Sequence, residues 1–530
     1  MRKTTIELTE EKYELIYADK EREEDILADT MAVPLQKIKT FRNGKNGNGW
    51  TNMLIFGDNL QVLKTLLQMK QEGKLKNADG TPGVRLVYID PPFATGQEFR
   101  GKQGQKAYQD KIAGAKFLEF LRKRLIFLRE LLSEDGSIYV HLDWKKGHYV
   151  KILMDEVLGE QNFRNDIIVK RIKRNYVKKG EKVRKLDTGH DVILFFARSE
   201  NHFIIPPIRL KPREKRWHSF GTTGIRGGRD YELFGYKPGR TSHWRWTKER
   251  AEKAIAEGSL RPNPNTGKPE YLIEKREEEV IDTIWNDVNA YSVTPDYPTE
   301  KSETLIYRII RASSNPGDLV LDCFAGSGTT LAVAEKLGRH WIGVDCGKLS
   351  IYTMQKRLLN IAESKDLENP KKKYGKLCKP FTLYNAGLYD TVDAAGFDFI
   401  QTPTVECKYF IDDKKGQLEL GKVTKEFVIK IERFESKVIS RKPLEFANLE
   451  TLSMVMLDYD FNGEVFDLDK VFYVDDLKKN GYEVRFAEDK VKKQIMVIYI
   501  DIFGNEKWET KTLSELDDKL RKAGMISEGQ

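Results

Sequence analysis

Leu86-Val87-Tyr88-Ile89-Asp90-Pro91-Pro92-Phe93 is the stretch on which the reading of the 530-residue chain turns. The β-branched and aromatic run that begins at Val84 predicts a buried strand, and two successive prolines can continue neither a sheet ladder nor a helix, so the chain leaves the sheet there. Asp90 therefore stands at the carboxyl end of a strand. That is the edge at which open α/β sheets bind ligands, and the Pro-Pro corner aims the carboxylate and the Pro91 carbonyl without mobile side chains. Phe93 adds a flat apolar face.

These parts suit one chemical problem, the modification of an exocyclic amine on a nucleobase. The amine lone pair is delocalised into the ring, and a carboxylate plus a carbonyl accepting its two N–H groups localise that pair toward an electrophile. A base inside a duplex must first be flipped out and stacked, a task for Phe93. By itself the motif is also compatible with a strand ending in a polar turn. A second stretch, Leu319-Val320-Leu321-Asp322-Cys323-Phe324-Ala325-Gly326-Ser327-Gly328-Thr329-Thr330, is another buried-strand pattern running into a glycine loop, with a helix expected over Leu331 to Leu337. Glycines let a ligand approach the backbone, and about 20 residues beyond Gly326 the run Trp341-Ile342-Gly343-Val344 ends in Asp345, placed to accept hydrogen bonds from ribose hydroxyls. A dinucleotide oxidoreductase is the competing reading of this half. It lacks the third glycine, since Thr329 and Thr330 follow Gly328, and it gives Asp90-Pro91-Pro92-Phe93 nothing to do.

Asp90-Pro91-Pro92-Phe93 ahead of Phe324-Ala325-Gly326-Ser327-Gly328-Thr329 resembles the permuted, beta-order amino methyltransferases of DNA, a group that includes the modification subunits of type III restriction systems. The resemblance runs from Asn52 to Asn360. It implies an α/β fold, a circularly permuted class I (Rossmann-like) methyltransferase core with an inserted target-recognition region, and S-adenosylmethionine as cofactor. It implies catalytic roles for Asp90, Pro91, Pro92 and Phe93, and cofactor binding by Asp322, Phe324, Ala325, Gly326, Ser327, Gly328, Thr329 and Asp345. Asn52 to Leu60 is similar to the family's opening strand and turn, which puts Asp58 beside the cofactor's adenine. Pro298-Thr299-Glu300-Lys301-Ser302 is similar to a segment usually written Pro-Thr-Gln-Lys-Pro that lines the methionine end, which implicates Thr299 and Lys301. Glu300 and Ser302 depart from that pattern, and no role is carried over to Glu300. Tyr108, followed by Asp110, is similar to a Tyr-x-Asp element in the loop that closes over the flipped base. An aspartate opening the catalytic motif implies adenine N6, where a serine is commoner in cytosine N4 enzymes; cytosine N4 and a catalytically idle scaffold of the same fold are the alternatives. The chemistry needs no metal, and His141, Asp143 and His148 come with no fourth ligand.

Composition bounds the rest. With 40% apolar and 32% charged residues and no run of about 18 apolar residues, neither a signal peptide nor a spanning helix is expected, and the chain reads as cytoplasmic with no membrane partner. Cys323, Cys346, Cys378 and Cys407 lack metal or disulfide spacing. From Glu160 to Arg250 there are 23 Lys and Arg against 10 Asp and Glu, a local excess that exceeds the +9 of the whole chain. Lys170, Arg171, Lys173 and Arg174 open this interval, which is expected to track DNA phosphates. A Gly-, Trp- and Arg-rich stretch over 206–286 reads as the target-recognition insertion, with Arg213, Arg216, Arg226, Arg229, Arg240 and Arg245 as candidate contacts. It separates the catalytic half, 50–205, from the cofactor half, 287–362. Residues 1–49 are expected to form a charged helical arm and connector, 363–403 a linker, and 404–530 a β-rich domain. Near charge balance in that last domain, 22 basic against 26 acidic residues, points to assembly rather than phosphate binding. Expected partners are double-stranded DNA, a second copy of the chain as a homodimer, and a restriction or helper subunit.

Overall fold

The computed structural model describes residues 14–42, 49–92, 98–100, 106–109, 114–171, 188–293, 297, 299–387, 402–412, 426–436, 446–512 and 515. They gather into two compact units, Pro206–Asp282 and the remainder of the chain.

The larger unit is built on a mixed sheet. Its strands lie in the order Ile284–Asn289, Phe163–Lys170, His190–Ala197, Leu132–Asp143, Val84–Ile89, Leu319–Asp322, His340–Asp345, Asn52–Phe56, Phe381–Ala386, Leu35–Phe41, Phe466–Leu468. Val84–Ile89 and Leu319–Asp322 are buried at every position, as central parallel strands covered on both faces must be. The two are parallel neighbours although far apart in the chain. From this pair the sheet winds in opposite directions. Helix Thr329–Lys336 leads from Leu319–Asp322 to His340–Asp345, and helix Ala115–Leu131 leads from Val84–Ile89 to Leu132–Asp143. The carboxyl ends on either side of such a reversal diverge and leave a crevice, so the Pro-Pro corner and the glycine loop face the same opening. On one face of the sheet Val87, Ile89, Ile138 and Val140 join a core with Leu63, Leu66, Leu121, Leu125 and Leu128.

Three expected boundaries in the larger unit are corrected. Residues 1–49 are not only an arm, because Leu35–Phe41 is a sheet strand; Lys39 occupies an inward position there, which hides the apolar alternation. The 363–403 linker contains Phe381–Ala386, parallel to Asn52–Phe56, a strand preceded by a lysine-rich stretch that masks it. The described residues of 404–530 form β-sheets around Phe427, Val455, Val497 and Tyr499, but they are not set apart from the large sheet: Phe466–Leu468 pairs with Leu35–Phe41, and they belong to the same compact unit.

The smaller unit packs Trp244, Leu260 and Ala251 around Phe220, with Trp246 edge-on to Phe220 at 5.2 Å. It ends at Asp282 rather than at residue 286, because Ile284–Asn289 pairs with Phe163–Lys170 in the large sheet. No helix among the described residues is long and apolar enough to cross a membrane.

Candidate active site at the strand ends

A cavity of about 280 Å³ opens at the carboxyl ends of these strands, lined by Asp90, Pro91 and Pro92, the glycine loop, Gly57 to Asn59, Asp345, Tyr297, Thr299 and Lys301. Gly326 and Gly328 hold φ of +51° and +74°, conformations that favour glycine. A side chain at Gly328 would place its Cβ 2.6 Å from Met354 Cγ, whereas at Gly326 the nearest atom is 3.8 Å away. Gly328 thus seats the loop on the helix behind it, and Gly326 leaves the cradle open.

Asp345 fastens that loop. Its Oδ2 accepts from Gly326 N (2.9 Å) and its Oδ1 from Gly347 N (2.8 Å), while burial raises its carboxyl above the usual range. Asp322 accepts from Phe324 N at 3.0 Å. Burial pushes its carboxyl up to about 7, with the charges of Asp90 and Asp345 adding to the rise and the Thr330 hydroxyl and Phe324 amide opposing it. Asp58 caps helix Asn59–Gln71 by accepting from Leu60 N, and Arg124 reaches it at 3.5 Å.

Several cavity residues escaped the sequence reading. Asn59 donates to the Cys323 carbonyl (2.7 Å) and accepts from Arg124 Nε, and Arg124 lies 3.6 Å from the Phe120 ring centroid, so one buried arginine ties the opening turn to the catalytic-half helix. An arginine within the apolar stripe of Phe117 to Leu131 was the available signal. Arg357 donates to Glu300 Oε1 (2.5 Å), to the Ser327 carbonyl (2.9 Å) and to Thr329 Oγ1 (2.9 Å). Glu300, which departs from the family pattern, is therefore the anchor that holds its segment to the glycine loop. Thr299 sits at φ +60°, a strained conformation for a β-branched residue and one that concentrates at ligand sites.

Two of the expected residues also make contacts within the chain. Lys301, expected at the methionine end of the cofactor, places its ammonium 2.8 Å from Asp90 Oδ2. Arg171, expected on phosphate, pairs with buried Asp191 at 3.3 Å and lies over the Tyr291 ring. The other Asp90 oxygen, Oδ1, is buried and has no hydrogen-bond partner among the described residues. Lys170 is exposed at its strand end. Phe93, Lys173 and Arg174 lie outside the described residues, as do the side chains of Tyr108, in strand Lys106–Gln109, and Arg213, in strand Ile208–Arg213. In the smaller unit Arg216, Arg226 and Arg240 are exposed. Arg229 instead donates to the Arg245 carbonyl, and Arg245 lies 5.1 Å from the Tyr271 ring centroid, so both help build the aromatic core.

A family model described as DNA methylase matches residues 84–356. The type II methyltransferase M.EcaI of Enterobacter cloacae is 33% identical over 328 residues, covering 58% of this chain and 69% of that one. M1.MboII of Moraxella bovis, also a type II methyltransferase, is 33% identical over 270 residues, covering 49% and 84%. The StyLTI Mod subunit of a type III restriction-modification enzyme of Salmonella typhimurium is 25% identical over 361 residues, covering 57% of this chain but only 52% of its own length. Among solved structures, the cytosine-N4-specific PvuII DNA methyltransferase is 14% identical with a TM-score of 0.34, covering 61% and 89%.

Proposed function

This chain belongs to the DNA methylase family, and from that premise we propose that it moves a methyl group from S-adenosylmethionine to the N6 amine of adenine in duplex DNA, with Asp90 as the group that meets the amine. One observation carries the assignment of Asp90: its Oδ1 is a buried acceptor without a described partner, at the mouth of a strand adjacent to the glycine loop. A buried acceptor left unpaired costs free energy, which an incoming N–H recovers.

The cavity fits the cofactor. Carboxylates of Asp58, Asp90, Asp322 and Asp345 line it and suit a cationic ligand, and the missing side chain at Gly326 leaves room against the loop backbone. S-adenosylmethionine, when bound, supplies an electrophilic methyl on a sulfonium sulfur. The glycine loop, Asp322, Asp345, Thr299 and Asp58 would hold it. Asp90 Oδ1 and the Pro91 carbonyl accept the two amine hydrogens and so turn the nitrogen lone pair toward the methyl. Positive charge develops on that nitrogen during transfer, and a preorganised carboxylate in a water-poor site stabilises such charge by about 10²–10³ in rate. Asp90 Oδ1 also stands where the surplus amine proton departs.

Adenine is preferred over cytosine because the motif opens with Asp90. Duplex DNA is the substrate, and a restriction subunit and a second copy of this chain are the proposed partners in a restriction-modification system, as the name of the Salmonella relative prompts. Nucleoside mass spectrometry of DNA from cells expressing the protein is expected to show N6-methyladenine that disappears with Asp90→Ala. N4-methylcytosine in its place would reassign the base, and neither product on DNA of varied sequence would favour an idle scaffold.

A further inference from the structure

Behind Asp90 lies a buried polar chain that the chemistry above does not use. Tyr88, His141 and Asp191 share one face of the sheet, because Tyr88 pairs with Tyr139, His141 stands two residues further on, and Asp143 pairs with Asp191. His141 and Asp191 are both fully buried. A carboxylate can only accept, so His141 donates its Nε2–H to Asp191 Oδ2 (3.3 Å), and the neutral ring then accepts the Tyr88 hydroxyl at Nδ1 (2.8 Å). Asp191 is also paired in charge with Arg171 at 3.3 Å, the Arg171 guanidinium lies 5.4 Å from the Tyr291 ring centroid, and burial, with the Asp191 charge adding to it, pushes the Tyr291 hydroxyl above its usual range. Tyr291 is a β-bridge partner of Lys301, so the two side chains lie side by side, and the Lys301 ammonium sits 4.3 Å from the Tyr291 ring centroid and 2.8 Å from Asp90 Oδ2. A continuous run of contacts therefore leads from Tyr88 through His141, Asp191, Arg171, Tyr291 and Lys301 to Asp90.

Buried ionic arrays seldom add stability over apolar residues of the same shape, so one that terminates on a cavity carboxylate invites a reading in terms of geometry. Lysine is a compact charge on a flexible stem and does not hold one position unaided. We propose that Tyr291 and Asp191 are positioning residues that pin Lys301 on Asp90 Oδ2, so that the carboxylate keeps one orientation and presents Oδ1 to the amine of the target base. This rests on the reading of Asp90 as the group that meets the amine. It moves Lys301 from cofactor binding to control of the acceptor carboxylate.

The test is single-turnover transfer from tritiated S-adenosylmethionine to unmethylated bacterial genomic DNA of mixed sequence, both saturating, beside equilibrium binding of each. Misplacement of a reacting group by about 1 Å costs about 10²-fold, so Lys301→Met and Asp191→Asn are expected to lower the saturated rate by that order while leaving both dissociation constants within about twofold. Tyr291→Phe keeps the ring and loses the hydroxyl; about a tenfold fall is expected, and Lys301→Arg should recover part of the Lys301→Met loss. Lys301→Met that weakens cofactor binding with the saturated rate intact would overturn the proposal. So would parental rates in Tyr291→Phe, which is isosteric enough to carry the test if Asp191→Asn does not fold. Asp90→Asn is run in the same series. Full activity there removes the underlying reading of Asp90, whereas its loss alongside parental rates in Tyr291→Phe and Asp191→Asn removes only the positioning inference.

Discussion

At the scale of single residues, Asp322 sets a pH dependence. The folded chain holds its proton up to about pH 7, far above the ordinary carboxyl value of 3.8 that applies once the chain unfolds. Between those values the folded state binds more protons than the unfolded one, so this group's contribution to stability falls as pH rises from 3.8 through about 7. In the proposed site, a sulfonium or ammonium bound beside the carboxyl would reverse the preference and expel the proton. Affinity for S-adenosylmethionine should therefore climb as pH rises toward 7, by at most about tenfold per unit, and level off above it. Calorimetry at pH 6 in buffers of different ionisation enthalpy should register proton release that Asp322→Asn abolishes; no release in the parent protein would mean that Asp322 does not face the cation. The positions of Asp322, Asp90 and Asp345 were legible from the sequence because each ends a strand. The pairing of Lys301 with Asp90 and of Arg171 with Asp191 was not, since it depends on which strands lie beside which, and that no single stretch records.

Among the elements, Gly57 shows how tightly the strands on the cofactor side are packed. It follows Asn52–Phe56 with φ +153°, and a Cβ there would lie 2.6 Å from Ala386 Cβ on the neighbouring strand Phe381–Ala386. That partner atom is fixed to the backbone, so Gly57→Ala must part the two strands. Gly80→Ala is the control, with φ +84° but no atom within 4 Å of the added carbon, so it loses only the backbone preference. Chemical denaturation is expected to find Gly57→Ala less stable than Gly80→Ala by about 1–3 kcal/mol, the usual range for overpacking. Equal losses would show that the strands yield without strain. The same pair illustrates where element reading stopped. Val84–Ile89, interrupted only by Arg85, and Leu319–Asp322, polar only at its last residue, announce themselves as apolar runs, whereas Phe381–Ala386 mixes apolar with polar residues and gains its place through pairing with Asn52–Phe56 and Leu35–Phe41. Leu35–Phe41 was hidden by Lys39, whose stem is buried and whose charge is met by a residue far along the chain.

For the whole molecule, two regions invite opposite expectations. In Pro206–Asp282 the exposed Arg216, Arg226 and Arg240 are free of the aromatic core that holds Arg245, so replacing all three with Gln should weaken DNA binding with little change in stability. The salt slope of that binding should shrink by about 0.9 for each phosphate that the three arginines neutralise. An unchanged slope would remove them from the phosphate path. Deleting Thr404–Gln530 should instead damage the core itself. Phe466–Leu468 covers the edge of Leu35–Phe41, and the 1%-exposed Lys39 places its ammonium 2.6 Å from Glu506 and over the Trp508 ring. Gly504 abuts Tyr352 on helix Lys348–Leu359, the helix whose Arg357 clamps the glycine loop to Glu300. The truncation thus bares a sheet edge, strands a buried lysine and loosens the support of the cofactor loop. The expected outcome is a lower melting temperature, a tendency to aggregate and weaker S-adenosylmethionine binding in the same protein. A truncate with parental melting and cofactor affinity, altered only in oligomeric state, would show instead that the C-terminal sheets serve assembly and that the interactions at Lys39 and Tyr352 are dispensable to the core.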